Sequence, residues 1–186
     1  MRKNLVKTVD NDLSGDEILG RIEIGKTDER DLMAIGRVVA KAFQLPSENH
    51  AVIEMMNANV LLEESVKLYD RTTGDIYGVL IFCEDNISYS TGLEFHDENL
   101  SRYLEGFKQV NGYAFVIDSR LRNHGLDNKM LKYNLSYFVK NYDFIWCGVE
   151  HGLNTDRYWE RKGFSKVFEG GDASFYMLPF NKKVFK

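Results

Sequence analysis

Apolar positions along the chain change their spacing several times, and each change marks an element. Residues 112–117 are aromatic and β-branched enough for a strand, and Leu126, Met130, Leu131, Leu135 and Phe138 then recur at helical spacing. Residues 143–149 read as a second buried strand, and 154–162 as a short helix. Gly163 stands where a helix C′ residue belongs, with Arg161 and Lys162 well placed for the helix dipole. Earlier in the chain, 21–24 reads as a first strand. A helix follows, capped by Thr27 or Asp28, with Leu32, Ile35, Val39 and Ala42 on one face, ending before Pro46. Ser47 caps a second helix, on which Ile53, Met56 and Val60 repeat on one side.

Residues 66–70 and 75–84 form a hairpin joined by Thr72, Thr73 and Gly74. Within 86–111, Leu100, Tyr103, Leu104 and Phe107 give an i, i+3, i+4, i+7 stripe, predicting an inserted loop and amphipathic helix with Asp97 near its start. That helix either packs on the core or, with 88–92, forms one wall of an acceptor pocket. The chain closes with a hairpin, 164–168 and 173–178, around a Glu-Gly-Gly-Asp turn. Residues 1–18 are polar and are expected to be a loose extension. Together these elements predict one domain over 1–186 of the α/β (α+β) class. Its sheet is mixed, mostly antiparallel and central, with helices on both faces.

Composition narrows the function. A net charge of −4 argues against nucleic acid or an anionic membrane as the main partner. No run approaches the length of a membrane span, and Met1-Arg2-Lys3 has no apolar segment behind it, so a secretory leader is not expected. The two cysteines, Cys83 and Cys147, lie in apolar strand-like runs and read as buried free thiols of a cytoplasmic protein, not as a metal site. Oligomeric state is not fixed by the sequence, and a homodimer is compatible with it.

The chemistry concentrates between the strand at 112–117 and the helix that follows. A turn entering a helix leaves backbone N–H groups without partners, next to the positive end of the helix dipole, and phosphates are the usual occupants. Arg122-Asn123-His124-Gly125-Leu126-Asp127 has that form, and a glycine admits close approach to the main chain. Glycine in such a turn also has a purely conformational explanation.

Two anchors, Ile117-Asp118-Ser119 leading to Arg122-Asn123-His124-Gly125-Leu126, and Tyr158-Trp159-Glu160-Arg161-Lys162-Gly163-Phe164, resemble the GNAT superfamily of acyl-CoA-dependent N-acyltransferases. Order and spacing agree over 113–164 and more coarsely over 20–180. The resemblance implies a GNAT-like fold with acetyl-CoA as acyl donor and a small-molecule amine or a protein amine as acceptor. It places Phe115, Val116 and Ile117 along the pantetheine arm. It puts Arg122, Asn123, His124, Gly125, Leu126, Asp127 and Asn128 around the diphosphate, with Asn154 at the start of the next helix. It also implies a splay between 114–117 and 145–149, with an N–H near Ile117 as the donor to the thioester oxygen.

The chain departs from the family pattern at three positions. Asp127 stands where Gly or Ala is usual, and its carboxylate is expected to repel a diphosphate unless it serves helix stability. Trp159 stands where a Tyr commonly protonates the departing thiolate, and an indole cannot replace a phenol in that role. Cys147 falls where some relatives carry a strand carboxylate. The catalytic candidates are therefore Tyr158, which is otherwise a core aromatic, and Glu84 and Glu150, which act as bases through water or are simply solvated strand ends. His124 and His151 carry the side chain most used for proton transfer near neutral pH but sit in the turn and in a loop. The reading is an N-acetyltransferase using direct attack. Its alternative is a protein of the same fold that binds CoA or acyl-CoA with little or no transfer. A domain that binds no nucleotide is the third.

Overall fold

A computed structural model describes residues 14–151, 156–181 and Val184. Seven strands form one sheet: β1 (Ile22–Lys26), β2 (Val66–Asp70), β3 (Ile76–Cys83), β4 (Gln109–Ile117), β5 (Phe144–Glu150), β6 (Ser165–Gly170) and β7 (Ala173–Pro179). Their order is β1-β2-β3-β4-β5-β7-β6, antiparallel throughout except for the parallel β4–β5 pair. The sheet is thus mixed, as the element order predicts.

Among the described residues eight α-helices accompany it: α1 (Gly15–Leu19), α2 (Leu32–Phe43), α3 (Glu48–Asn57), α4 (Ile87–Ser90), α5 (Leu93–His96), α6 (Glu98–Leu104), α7 (Leu126–Asn141) and α8 (Asp156–Arg161). Alternation along the strands sorts them to the two faces. Leu80 and Phe82 of β3, Val110 of β4 and Ile145, Cys147 and Val149 of β5 share one cluster with Met130 and Phe138 of α7. Val79, Ile81 and Ala114 pack instead with α2 and α3. Phe144, Trp146 and Met177, which also face away from α7, lie under Ile87, Leu93 and Leu104 of the α4–α6 segment. So α7 covers one face, while α2–α3 and α4–α6 share the other. Among the described residues no helix is long and apolar enough to cross a membrane.

Four expectations need correction. Ser14 to Ile18, placed in the loose extension, are a helical turn with a reciprocal Ser14–Glu17 capping box, and Ile18 is 0% exposed because its apolar side chain fills the main core; residues 1–13 lie outside the described ones. The stripe read on α3 faces outward, with Ile53 57% and Met56 63% exposed. Ala51, Val52 and Met55 are the buried set. The contact across Gly36 explains the rotation. A Cβ there would come within 2.7 Å of Val52 Cγ2 and 2.8 Å of the Glu48 carbonyl oxygen, so α2 and α3 meet through a glycine and Val52 must face inward.

The inserted segment is three short helices, not one, because Gly92 at φ 69° and Asp97 as the α6 cap break it. It also ends sooner, since β4 starts at Gln109 and not at Gly112. Gln109 and Asn111 disguise that start by being polar. Gln109 spends its side-chain oxygen on the Ile87 N–H at 2.8 Å, and Asn111 is buried.

Candidate active site

The parallel β4–β5 ladder is short. Gln109 pairs Phe144, Val110 pairs Ile145 and Asn111 pairs Trp146, and no further rung follows among the described residues. Beyond it each strand continues with its other neighbour: β4 with β3 as far as Ile117–Gly78, and β5 with β7 as far as Glu150–Ala173. The two strands therefore part, and β4 peptide groups that point toward β5 beyond Asn111 have no ladder partner there. Ile145 and Trp146, expected in the splay, are zipped; the β5 side of the gap is Cys147 to Glu150.

A bulge marks the vertex. Ile81 pairs Ala114 but Phe82 pairs Gly112, so Tyr113 is the extra residue of β4. At Gly112 the strands are still close, since a Cβ there would stand 3.7 Å from Cys147 Cβ and from the Trp146 oxygen.

At its other end β4 leads into the turn. Asp118 caps a short 3-10 turn over Ser119–Leu121, accepting from the Arg120 N–H at 2.9 Å and from Arg120 Nε at 3.0 Å. Leu121 is buried and pins this turn, and Arg122 Nε donates to the Ile117 carbonyl at 3.3 Å. Asn123 and Gly125 are then both left-handed, at φ 67° and 69°. Nothing lies within 4 Å of the place a Gly125 Cβ would take, so conformation and not crowding requires glycine. Residues 122–125 are exposed and Leu126 is buried, which anchors the first turn of α7. Among the described residues, no protein group accepts from the N–H groups of Asn123, His124, Gly125, Leu126 or Asp127; the first backbone bond of α7 runs from Lys129 to Gly125 at 3.3 Å. Five amides are thus left open at a dipole end.

Asp127 does not face them alone. Lys162, from the end of α8, places Nζ 2.5 Å from Asp127 Oδ2 and also donates to Asn128 Oδ1. The same ammonium lies 4.8 Å from the centre of the Tyr158 ring. Burial pushes the Asp127 carboxyl up, but the Lys162 hydrogen bond, the Asn128 N–H, the Lys162 charge and the Tyr158 hydroxyl outweigh it and hold it below the ordinary value. Lys162 is in turn placed by the end of α8. Gly163 adopts φ 90°, and Phe164 N–H reaches back to the Trp159 oxygen at 3.1 Å while Gly163 N–H reaches Glu160 at 2.9 Å, a Schellman-type closure.

Tyr158 is half-buried on the gap side of α8, its ring centroid 6.5 Å from that of Phe115 on β4. Burial, then the Asp127 charge, a hydrogen bond to Asp127 and the nearby Cys147 raise its hydroxyl well above the usual phenol value. Trp159 packs with Phe115 and Phe164, at 6.3 and 5.1 Å, within the core. A cavity of about 260 Å³ adjoins this cluster through Asn128 and Lys162, floored by Leu131, Phe138 and Phe164 and rimmed by Lys132 and Arg161. A larger hollow of about 470 Å³ lies at the opposite end of α7, around Lys140 to Asp143, away from the turn.

The structure thus brings together Phe115, Val116, Ile117, the turn from Arg122 to Asn128, and Tyr158. It does not bring Glu84 to them. Glu84 is exposed beyond β3, beside Tyr142 at the far end of α7, whose hydroxyl is pushed up to about 12 by burial and then by the Glu84 charge. That end is roughly 24 Å from the turn, at ~1.5 Å per residue of helix. Glu150 is exposed at the open end of β5, on the face of Trp146 and Gly148. His151 pairs with Glu169 at 3.2 Å, and Asn154 lies outside the described residues.

Sequence reasoning missed two groups. Lys162 was legible only as a dipole partner, because Asp127 is 35 residues away. Tyr113 reads as a core aromatic, yet it is the bulge residue, half-buried, with its hydroxyl raised by burial first and then by the Glu54 charge. Glu54 of α3 is itself paired with His50 at 3.1 Å. No linear signal joins Glu54 to Tyr113.

No protein-family model matches the chain, and no curated protein sequence does. Solved structures do. A GNAT family N-acetyltransferase from Escherichia coli in complex with CoA aligns with TM-score 0.62 at 16% identity, covering 89% of this chain and 85% of that one. The ribosomal-protein-S18-alanine N-acetyltransferase of Escherichia coli aligns with TM-score 0.60 at 15% identity, over 86% and 94%. The NatC complex bound to Gag peptide and CoA gives TM-score 0.59 at 16% identity, over 86% and 98%. The chain has the GNAT fold, the fold of these N-acetyltransferases.

Proposed function

We propose that the protein is an N-acetyltransferase that moves the acetyl group of acetyl-CoA to a primary amine by direct attack. The observation that carries this reading is the adjacency of two features: an unzipped parallel strand pair, and a helix entrance whose five amides have no protein partner. The amides of residues 123–127 would bind the diphosphate, with Arg122 and Asn128 beside them. Phe115, Val116 and Ile117 would line the pantetheine arm, and the cationic rim of Lys132 and Arg161 suits the coenzyme's remaining phosphate. CoA in two of the structures with this fold supports the choice of donor.

Ile117 adjoins the turn, whereas the vertex at Gly112 is five residues away, roughly 17 Å at ~3.3 Å per residue. A thioester at the far end of the arm therefore falls near the Tyr113 bulge, and we place the carbonyl-polarising N–H there in preference to Ile117. The amine nitrogen bonds to the carbonyl carbon as the carbon–sulfur bond breaks. Tyr158 keeps its proton across the physiological range and serves the departing thiolate as hydrogen-bond donor, while water supplies the proton that completes the thiol. The amine proton leaves through water toward Glu54 or Glu150, both on the face opposite α7; Glu84 is too far from the gap to compete. A cytoplasmic setting and a small-molecule or protein amine fit the reading equally.

A second reading has its own support. The Tyr158 hydroxyl has Asp127 as a partner, and Trp159 fills the position of the family's usual Tyr, so the fold could bind CoA with little transfer. Calorimetry with CoA and thiol release from acetyl-CoA across an amine panel separate the two. Tyr158→Phe should lower turnover about ten-fold while leaving CoA affinity unchanged. Unchanged turnover removes Tyr158 from the mechanism, and binding without thiol release for every amine favours the second reading.

A further inference from the structure

An acidic residue in the first turn of a diphosphate-binding helix is an electrostatic contradiction unless something offsets it. Asp127 is the second residue of α7, so its carboxylate is close enough to the open amides either to repel a second anion or to accept from those amides itself. In this structure the carboxylate accepts from the Asn128 N–H and from none of the five open amides. The carboxylate is turned to Lys162 Nζ at 2.5 Å, and Lys162 reaches it from a different helix while also donating to Asn128. The pair is well sheltered, with side-chain exposures of 13% for Lys162 and 25% for Asp127, so solvent screens it less than a surface pair. The Tyr158 ring closes over the ammonium at 4.8 Å and keeps it there.

We propose that Lys162 is a binding determinant of the coenzyme that acts through Asp127. By engaging the carboxylate, it keeps the amides of residues 123–127 available to a diphosphate. The proposal rests on the reading of that turn as the diphosphate site and goes beyond it by naming which residue makes the site usable. With Lys162 neutralised, the Asp127 carboxylate keeps the Tyr158 hydroxyl and has the first turn of α7 for the rest of its acceptor capacity. It becomes an internal competitor for the diphosphate. Asp127 and Lys162 are therefore opposed in their effects on binding although they are partners in the structure. A simple brace between α7 and α8 behaves otherwise, because it weakens when either partner is removed.

The test is a double-mutant cycle on the full chain, read by calorimetry with CoA and by turnover with two donors, acetyl-CoA and S-acetyl-pantetheine, the second of which has no diphosphate. Lys162→Met should weaken CoA binding by about ten-fold or more, equivalent to 1.4 kcal/mol. Asp127→Asn should leave it unchanged or tighter, and the double variant should return to within about three-fold of the parent. Kinetics should agree, with KM rising in Lys162→Met by a larger factor for acetyl-CoA than for S-acetyl-pantetheine. If Lys162→Met fails to fold, Asp127→Asn carries the test alone: a ten-fold loss there, as a brace requires, overturns the proposal. Parental CoA binding by Lys162→Met, or a double variant weaker than both singles, overturns it while leaving the acetyltransferase reading intact. Failure of the parent protein to bind CoA overturns both.

Discussion

The N-termini of α3 and α7 meet the same physical problem and solve it in opposite ways. At α3, Ser47 is extended at φ −163° and its side chain accepts from the His50 N–H at 3.1 Å, so a residue of the chain serves an orphan amide. At α7, the longest of the described helices, Gly125 is left-handed and supplies no side chain, and the approach through Asn123 is left-handed as well. α1 and α6 side with α3, through Ser14 and Asp97, while α2 continues from a 3-10 turn capped by Asp28 and the four-residue α5 starts, like α7, at a left-handed glycine. A missing cap costs about 1 kcal/mol, and the left-handed Asn123 adds to it. α7 thus carries a stability cost that α1, α3 and α6 avoid, and a ligand that supplies the acceptors would offset it.

The largest effect expected from this difference is ligand-induced stabilisation. CoA at a hundred times its Kd should add about 2.7 kcal/mol, raising Tm by roughly 5–10 °C in a chain of this size. Differential scanning calorimetry would show it, and a flat Tm would place α7 with the ordinary helices. Next is Gly125→Ala, which forces a Cβ into the left-handed region. It should cost 1–2 kcal/mol in urea unfolding and weaken CoA binding as the turn relaxes. A stable variant with intact binding would show that the turn's shape is incidental. Ser47→Ala is the control at the capped helix: about 1 kcal/mol of stability lost and CoA affinity untouched.

The smallest effect concerns pH. The Asp127 carboxyl is lower in the folded chain than in the unfolded one, so its contribution is present above its unfolded value near pH 4 and is lost as pH falls through the folded value. Asp127→Asn should therefore be less stable than the parent at neutral pH, by under about 1 kcal/mol, and equal to it in acid. A gap that stays constant into acid would mean the carboxylate's charge contributes nothing.

The same contrast governs what could be read from the linear chain. Features fixed by neighbours in sequence were legible: the strand–turn–helix around Gly125, the Gly163 closure of α8, and the hairpin at Gly74, whose φ is 78°. Features fixed by partners far along the chain were not. Gln109 and Asn111 look like loop residues because their strand character comes from β5 and from Ile87. The inward face of α3 is set by Gly36 of α2, and Ile53 and Met56 gave a better stripe than Ala51 and Val52 did. Asp127 looked like a defect in the turn until Lys162 was found against it. The proposed diphosphate turn is made of backbone and is therefore local. The groups proposed to surround a thioester, Tyr113, Glu54 and Tyr158, come from a bulge and two separate helices, and only the folded chain assembles them.

The central claim is that the peptide nitrogens of residues 123–127 are unengaged because they await an anion. Recording the backbone amide resonances of the isotopically labelled protein during a CoA titration tests it most directly. The account predicts that these five signals move together and saturate with the calorimetric Kd, and that their exchange with solvent slows. Five unmoved signals alongside a measurable binding heat would put the ligand elsewhere and contradict it.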